Sequence, residues 1–257
     1  MASSLGERQV LLSMQSITKC FGAVEALVDV ELEVHAHEVV ALIGDNAAGK
    51  STLANIAAGV LAPDSGLIEL EGQPVVLPTP AAARARGVEM VFQDLALCDN
   101  LDVTSNLFLG RELRGPFGRD DARMEEIAIR VLDTLASRIP SARTPLRELS
   151  AGQRQAVAIA RTLIGDPRVV VLDEPTAALS IPQTAEVLLH VQRLRDLGLG
   201  VVLISHSLTD VLAVADRVEV LRHGRNFGSF DTATTGYAEL LGAMTGAVGA
   251  LPRLRAV

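Results

Sequence analysis

Cysteine is almost absent: Cys20 and Cys98 are the two in the chain. Neither has a His or Cys neighbour at metal-ligand spacing, which excludes a disulfide framework and a thiolate metal cluster and leaves reduced, buried thiols as the expectation. Long hydrophobic runs are missing too. Although 49% of the residues are hydrophobic, no stretch reaches the roughly 18 uninterrupted apolar residues that a membrane-crossing helix requires. Met1 to Gln15 is broken by Glu7 and Arg8 and has neither the short apolar block nor the small-residue cleavage site of a secretory leader, so a cytosolic location is expected. Positive charge is scarce, with 23 Lys and Arg against 31 Asp and Glu and a formal net charge of −8. That balance argues against a protein that holds nucleic acid through non-specific contacts to its phosphates. Arg84 with Arg86, and Arg222 with Arg225, read as solvated surface charge rather than the wall of a basic groove.

What remains is the pattern of an α/β domain. The 257 residues suffice for one such domain with a core of ordinary size. Apolar runs bounded by turn residues recur at Val39–Ile43, Val88–Phe92, Val169–Leu172, Val201–Ile204 and Arg217–Leu221, most of them separated by helical patterns, and this alternation predicts a largely parallel sheet. Helical periodicity covers Lys50–Ala58, Asp121–Ser137, Ser150–Ile164, Pro182–Leu197 and Ser207–Val214. Leu11–Val34 and Gly66–Leu77 read instead as antiparallel strands. Residues from about Leu95 to Arg147 carry helix and little strand signal, which suggests a helical lobe inserted into the core. There is no internal repeat and one phosphate-loop match, hence one nucleotide-binding unit, and the residues after about Gly236 carry no signal.

The strand Val39–Ile43 runs directly into Gly44, Asp45, Asn46, Ala47, Ala48, Gly49, Lys50, Ser51 and Thr52. These satisfy the GxxxxGK[ST] pattern between a strand and a helix. Glycines let such a loop wrap a polyphosphate with backbone N–H groups and a helix N-terminus facing the negative charge. Lys50 is then the ligand of the β- and γ-phosphates, the Ser51 hydroxyl suits Mg²⁺, and Thr52 reaches a neighbouring phosphate oxygen. A second apolar strand, Val169–Leu172, ends in Asp173 and Glu174. Asp173 is a candidate for holding Mg²⁺, and Glu174 for orienting or deprotonating the attacking water. On its own, a strand ending in two acids is as readily a solvated turn.

The segment Leu149-Ser150-Ala151-Gly152-Gln153 opens a helix. Ser150 is a good N-cap, and small residues there offer bare N–H groups and a positive dipole end to a phosphate. The segment resembles the LSGGQ signature of ABC ATPases. The phosphate loop, Gln93, this signature, the acid pair and His206 occur in that family's order, and the resemblance covers residues of about 10 to 230.

The resemblance implies an α/β ABC ATPase fold: a RecA-like P-loop core, an antiparallel β subdomain and an inserted α-helical subdomain at about 95–165 within a single domain of 1–257, with a C-terminal tail at about 236–257. It implies that Gln93 contacts Mg²⁺ and the water, that His206 meets the γ-phosphate and holds Glu174, and that Phe21 stacks on adenine; packing at a core edge is the plainer role for Phe21. It further implies that two such domains meet head to tail, so that Ser150, Ala151, Gly152 and Gln153 of one reach the ATP held by the other. Val91 to Val103, continuing through Asn106–Glu112, resembles monosaccharide importers of the fructose, ribose and xylose type. The implied function is therefore an ATP-hydrolysing subunit, using ATP and Mg²⁺, that drives sugar uptake through a separate membrane permease fed by an extracytoplasmic sugar-binding protein, peripheral on the inner face of the membrane. The alternatives are a soluble ABC clamp on nucleic acid or ribosomes and an inactive ATP-binding subunit. About a hundred residues separate Lys50 from Ser150, too few for a long coiled coil. Three positions depart from the family pattern: Ala47 and Ala151, where glycine is common, and Ser180, where aspartate is common. An alanine forced to positive φ would cost roughly 1–2 kcal/mol; one in ordinary backbone would cost almost nothing.

Overall fold

A computed structural model describes residues 9–116 and 118–247. The remaining residues, including Glu7, Arg8 and the last part of the expected tail, lie outside the described residues. In chain order the elements are β1 (Val10–Phe21), β2 (Val24–His35), β3 (Glu38–Gly44), α1 (Lys50–Ala57), β4 (Ser65–Leu70), β5 (Gln73–Pro74), α2 (Pro80–Ala85) and β6 (Val88–Val91). There follow α3 (Val103–Leu107), β7 (Arg114–Gly115), β8 (Gly118–Arg119), α4 (Asp121–Thr134), α5 (Ala151–Thr162), β9 (Val169–Asp173), α6 (Ile181–Asp196), β10 (Gly200–Ile204), α7 (Leu208–Val214), β11 (Arg217–Arg222), β12 (Arg225–Asp231) and α8 (Tyr237–Thr245).

Two sheets share one core. A six-stranded sheet runs β12-β11-β3-β10-β9-β6. Its strands are parallel except for β12, which pairs antiparallel with β11 at the edge. All residues of β3, β9 and β10 are buried, because a parallel sheet covered on both faces needs near-continuous apolar strands. Alternation within them still assigns the faces. Val40, Leu42, Val171, Val202 and Ile204 pack toward α1 and the antiparallel sheet β2-β1-β4-β5. Val39, Ala41, Ile43, Val170, Leu172, Val201 and Leu203 pack toward α3 to α8. In β2 the pattern is half-buried: Val30, Leu32 and Val34 face inward while Asp29, Glu31 and Glu33 face out.

The helical region carries its own start signals. Asp102 accepts from the Ser105 N–H at 2.7 Å, Asp120 from the Arg123 N–H at 3.1 Å, and Ser150 from the Gln153 N–H at 3.3 Å, capping α3, α4 and α5. Fully buried Asn106 closes the loop before α3: its Oδ1 accepts from the Cys98 N–H at 2.7 Å and its Nδ2 donates to the Cys98 carbonyl at 3.0 Å. The two-residue strands β7 and β8 form a small hairpin before α4, in a stretch where helix and little strand were expected. Helix α8 occupies part of the stretch that carried no sequence signal. Cys20 and Cys98 are half-buried rather than buried.

At the base of the parallel sheet a buried ionic knot ties β2, β3 and β11 together. Arg217 Nε donates to Glu38 Oε1 at 2.8 Å and its Nη2 donates to the Glu33 carbonyl at 2.7 Å, while the His35 N–H donates to Glu38 Oε2 at 2.8 Å. Burial pulls the Glu38 carboxyl upward, but the His35 and Arg217 hydrogen bonds and the guanidinium charge outweigh it and hold the pKa at about 2.

Candidate nucleotide site

The site forms where the parallel strands end. Residues paired across β3, β10, β9 and β6 march in register: Leu42 faces Ile204, Ile204 faces Asp173, and Leu172 faces Val91. The segments that leave these strands therefore emerge side by side at the carboxyl edge, the usual place for ligands on open α/β sheets. They carry the phosphate loop after β3, Asp173 and Glu174 at the end of β9, His206 after β10 and Gln93 after β6.

Between Gly44 and Lys50 the chain turns through conformations that glycine favours. Gly44 has φ 149°, Gly49 has φ 102°, and a Cβ on Gly44 would collide with the Leu221 carbonyl oxygen of β11. At Gly49 a Cβ would come within 2.6 Å of Leu27 Cδ2 and 2.7 Å of the Ala26 oxygen. The loop is thus seated against β11 and β2, with the Ala48 carbonyl accepting from the Gly224 N–H at 3.2 Å. Ala47 lies at φ 65°, so it falls in the costly of the two backbone cases for a glycine-to-alanine departure. Inside the loop Lys50 Nζ donates to the Gly44 carbonyl at 2.7 Å and the Asp45 carbonyl at 2.9 Å. Burial pushes the lysine pKa down, partly offset by the charges of Glu174, Asp173 and Asp45. An ammonium held this way and short of water is suited to a phosphate.

Asp173 is buried. Its pKa is raised first by burial and second by the adjacent Glu174 charge, while a hydrogen bond from the Ser51 side chain and the Lys50 charge oppose the rise. Two neighbouring carboxylates and a hydroxyl, with one lysine among them, form an oxygen donor set short of positive charge. That chemistry fits a hard divalent cation such as Mg²⁺, which Ser51 and Asp173 would hold.

Glu174 stands at φ 52°, an uncommon conformation for a glutamate and of the kind that concentrates at functional sites. Its N–H donates to the Ile204 carbonyl at 3.0 Å, which anchors it to β10. Its Oε2 lies 2.7 Å from His206 Nδ1. The pairing is asymmetric in exposure: 15% of the Glu174 side chain is accessible against 69% for His206. The carboxylate sits within the edge and the imidazole projects outward. Gln93 is exposed two residues past β6, the strand that pairs with β9. Phe21 ends β1 with 48% of its surface exposed, which does not suit a core role, and Lys19 Nζ lies 5.8 Å from its ring centroid.

Ser150, Ala151, Gly152 and Gln153 lie elsewhere. Helix α5 packs on α3, α4, α6 and β6, whereas α1 packs on β2, β3 and β9. Among the described residues no hydrogen bond or ion pair joins the two sets. The Ser150 N–H donates to Gln153 Oε1 at 2.9 Å, closing a capping box with the Ser150 hydroxyl. Ala151 is the first residue of α5 and absent from the positive-φ residues, so its departure from glycine carries no strain. Ser180 is the N-cap of α6, and its N–H and hydroxyl both donate to Gln183 Oε1, at 3.1 and 3.0 Å.

Sequence reasoning missed Thr176 and Asp210, whose side chains join at 2.7 Å, two residues after Glu174 and four after His206. Ser207 followed three residues later by Asp210 was a visible helix-start signal; a partner 34 positions upstream left no local trace.

A family model described as ABC transporter matches residues 27–177. The xylose/arabinose import ATP-binding protein of Sulfolobus acidocaldarius is 41% identical over 235 residues, spanning 91% of this chain and 94% of that protein. The fructose import ATP-binding protein of Rhizobium meliloti is 38% identical over 248 residues, 93% of this chain and 95% of the relative. A ribose import ATP-binding protein of Burkholderia ambifaria is 42% identical over 92% of this chain, which spans 47% of that relative's length. Among solved structures, a nucleotide-free ATP-binding cassette from an ABC transporter superposes with a TM-score of 0.78 at 27% identity, covering 92% of this chain and 95% of that one. An ADP-bound conformation of such a cassette gives 0.79, also at 27% identity and with the same coverage. With its phosphate loop, acid pair and histidine gathered on one edge of a parallel sheet, the chain belongs to the ABC transporter family, as one of that family's ATP-binding proteins.

Proposed function

We propose that the chain is the ATP-hydrolysing subunit of a sugar importer. The observation that carries the chemistry is the 2.7 Å contact between Glu174 and His206 on the sheet edge that also presents Lys50, Ser51 and Asp173. On binding MgATP, Lys50 exchanges its two loop carbonyls for phosphate oxygens, and the loop N–H groups and the α1 N-terminus cradle the rest. Phe21 takes the adenine. Ser51 and Asp173 would hold Mg²⁺, which would neutralise phosphate charge. Glu174 orients the attacking water and accepts its proton, Gln93 supports that water from β6, and His206 fixes the carboxylate and faces the charge that develops on the transferred phosphoryl group.

Within one chain, Ser150 to Gln153 stand apart from the phosphate loop, which supports a head-to-tail pair in which each signature turn completes its partner's site. Sugar as the cargo rests on the relatives, whose names assign xylose/arabinose, ribose and fructose import. Among the described residues no helix is long and apolar enough to cross a membrane, so a separate permease is the partner that would carry the sugar, with the chain docked on its inner face and a sugar-binding protein upstream. A nucleic-acid clamp is not favoured by the net charge of −8.

The test is Glu174→Gln. It should retain MgATP while turnover falls by about 10²–10⁴-fold, and sedimentation should show a dimer that appears with MgATP and carries bound nucleotide. Hydrolysis by that variant at a near-normal rate would overturn the assignment.

A further inference from the structure

Glu174 and His206 belong to different loops, which the sheet register brings side by side. Glu174 begins the β9–α6 connection at φ 52° and continues through two tight turns, in which the Ala177 N–H donates to the Glu174 carbonyl at 3.1 Å and the Leu179 N–H to the Thr176 carbonyl at 3.3 Å. His206 sits in the short β10–α7 connection, more than half exposed. What spans the two loops beyond the sheet edge is a side-chain bond: Thr176 Oγ1 donates to Asp210 Oδ2 at 2.7 Å, with both residues half-buried. Thr176 is two residues after Glu174, and Asp210 is four residues after His206 in the first turn of α7. The second loop is itself stiffened, since the Ser207 N–H donates to Ser205 Oγ at 3.0 Å and the Asp210 N–H to Ser207 Oγ at 3.3 Å. Asp210 therefore connects, through one half-buried carboxylate, the helix that follows the histidine and the turn that follows the glutamate.

We propose that Thr176 and Asp210 are positioning residues for ATP hydrolysis, clamping the β9–α6 and β10–α7 loops so that the Glu174 carboxylate and the His206 imidazole stay paired. The inference rests on the ATPase reading above. Neither residue reaches the phosphate loop by any described hydrogen bond, so the clamp acts on turnover and leaves nucleotide binding alone. The same turn leads through Ala177 and Ala178 to Ser180, the residue at the position where the family commonly has aspartate. Any shift of that segment is thus tied to the spacing of the Glu174–His206 pair. The hydroxyl donates and the carboxylate oxygen accepts, which sets the conservative variants: serine keeps the donor, and asparagine keeps an acceptor oxygen while losing the charge.

The experiment measures steady-state ATP hydrolysis and MgATP affinity of the full chain as Thr176→Val, Thr176→Ser, Asp210→Ala, Asp210→Asn and the Thr176→Val/Asp210→Ala double variant. Thr176→Val and Asp210→Ala should each lower kcat by about 10-fold with KM and nucleotide affinity within about twofold of wild type. Thr176→Ser and Asp210→Asn should restore most of the lost rate. The double variant should be no slower than the slower single one, because both remove one interaction. Thr176→Val is nearly isosteric, so it keeps the test open if Asp210→Ala lowers the melting temperature. Wild-type kcat in both Thr176→Val and Asp210→Ala overturns the clamp. Equal losses in Asp210→Asn and Asp210→Ala also overturn it, pointing to the charge at the α7 N-terminus instead, and so does a parallel loss of nucleotide affinity, which a general structural role would produce. Glu174→Gln run alongside separates the two levels. If it hydrolyses normally, the catalytic reading itself has failed; if it is inactive while the clamp variants are not, the positioning inference alone falls.

Discussion

Two helix N-termini in this molecule were expected to face phosphate, and they are built in opposite ways. At α1 the chain arrives from a buried strand and reaches the helix through Gly44, Ala47 and Gly49, all at positive φ, with no side-chain cap. At α5 Ser150 caps an ordinary first turn and Gln153 closes the box from the other side. Each approach, the loop before α1 and the first turn of α5, carries an alanine where the family commonly has glycine. Ala47 sits in left-handed backbone and Ala151 in a regular helix. The same substitution therefore means strain in one place and helix propensity in the other, and the backbone, not the residue type, decides which.

The comparison breaks most visibly at Gly44. Gly44→Ala combines a positive φ with a collision against the Leu221 carbonyl, so urea denaturation should show a loss of about 4 kcal/mol or more. A smaller loss would mean that β11 yields and the loop is less tightly seated than α1 requires. The far end of the same strand is held by Glu38. Glu38→Gln should cost about 2 kcal/mol by removing one of the two carboxylates around Arg217, whose pairing with Glu219 remains. The sign with pH follows from the depressed carboxyl: folded-state pKa about 2 against 4.5 for the free group. Its contribution is full above pH 4.5 and is lost as pH falls toward about 2. Wild type should therefore lose stability faster than Glu38→Gln across that window in acid denaturation followed by circular dichroism.

The two alanines give the sharpest form of the comparison. Ala47→Gly should stabilise the chain by about 0.5–1 kcal/mol, because relief of the left-handed strain exceeds the added freedom of the unfolded state. Ala151→Gly should destabilise it by about 0.5–1 kcal/mol through helix propensity. Changes of the same sign in paired denaturation curves would remove the distinction. The smallest effect belongs to Gly152→Ala. Its Cβ would meet Gln183 Cγ at 3.0 Å and Cβ at 3.1 Å, on a side chain that Ser180 holds, and the helix-propensity gain of about 1 kcal/mol offsets that crowding, so stability should stay within about 0.5 kcal/mol of wild type.

Much of the fold was legible because local rules and tertiary packing agreed. Val39–Ile43, Val169–Leu172 and Val201–Ile204 are continuous apolar runs since the strands are covered on both faces, and β3 followed by GxxxxGK[ST] and α1 is fixed by backbone chemistry within a dozen residues. The misses are elements with too little local signal. Strands β7 and β8 are two residues each, β12 is a polar edge strand, and α2 is six residues long despite the Thr79 cap and Pro80 at its start.

By itself the sequence determined which residues could do chemistry, because a phosphate loop, an acid pair and a capped helix start are short-range patterns whose geometry the backbone sets. Tertiary structure alone decided which of them meet. The parallel register brings Ile204 level with Asp173 and so sets Glu174 against His206, and packing of β11 against β3 forces the loop path on which Ala47 is strained. The Thr176–Asp210 bond joins residues 34 positions apart. Such pairings depend on strand order and register, which arise only when the whole sheet closes on its core.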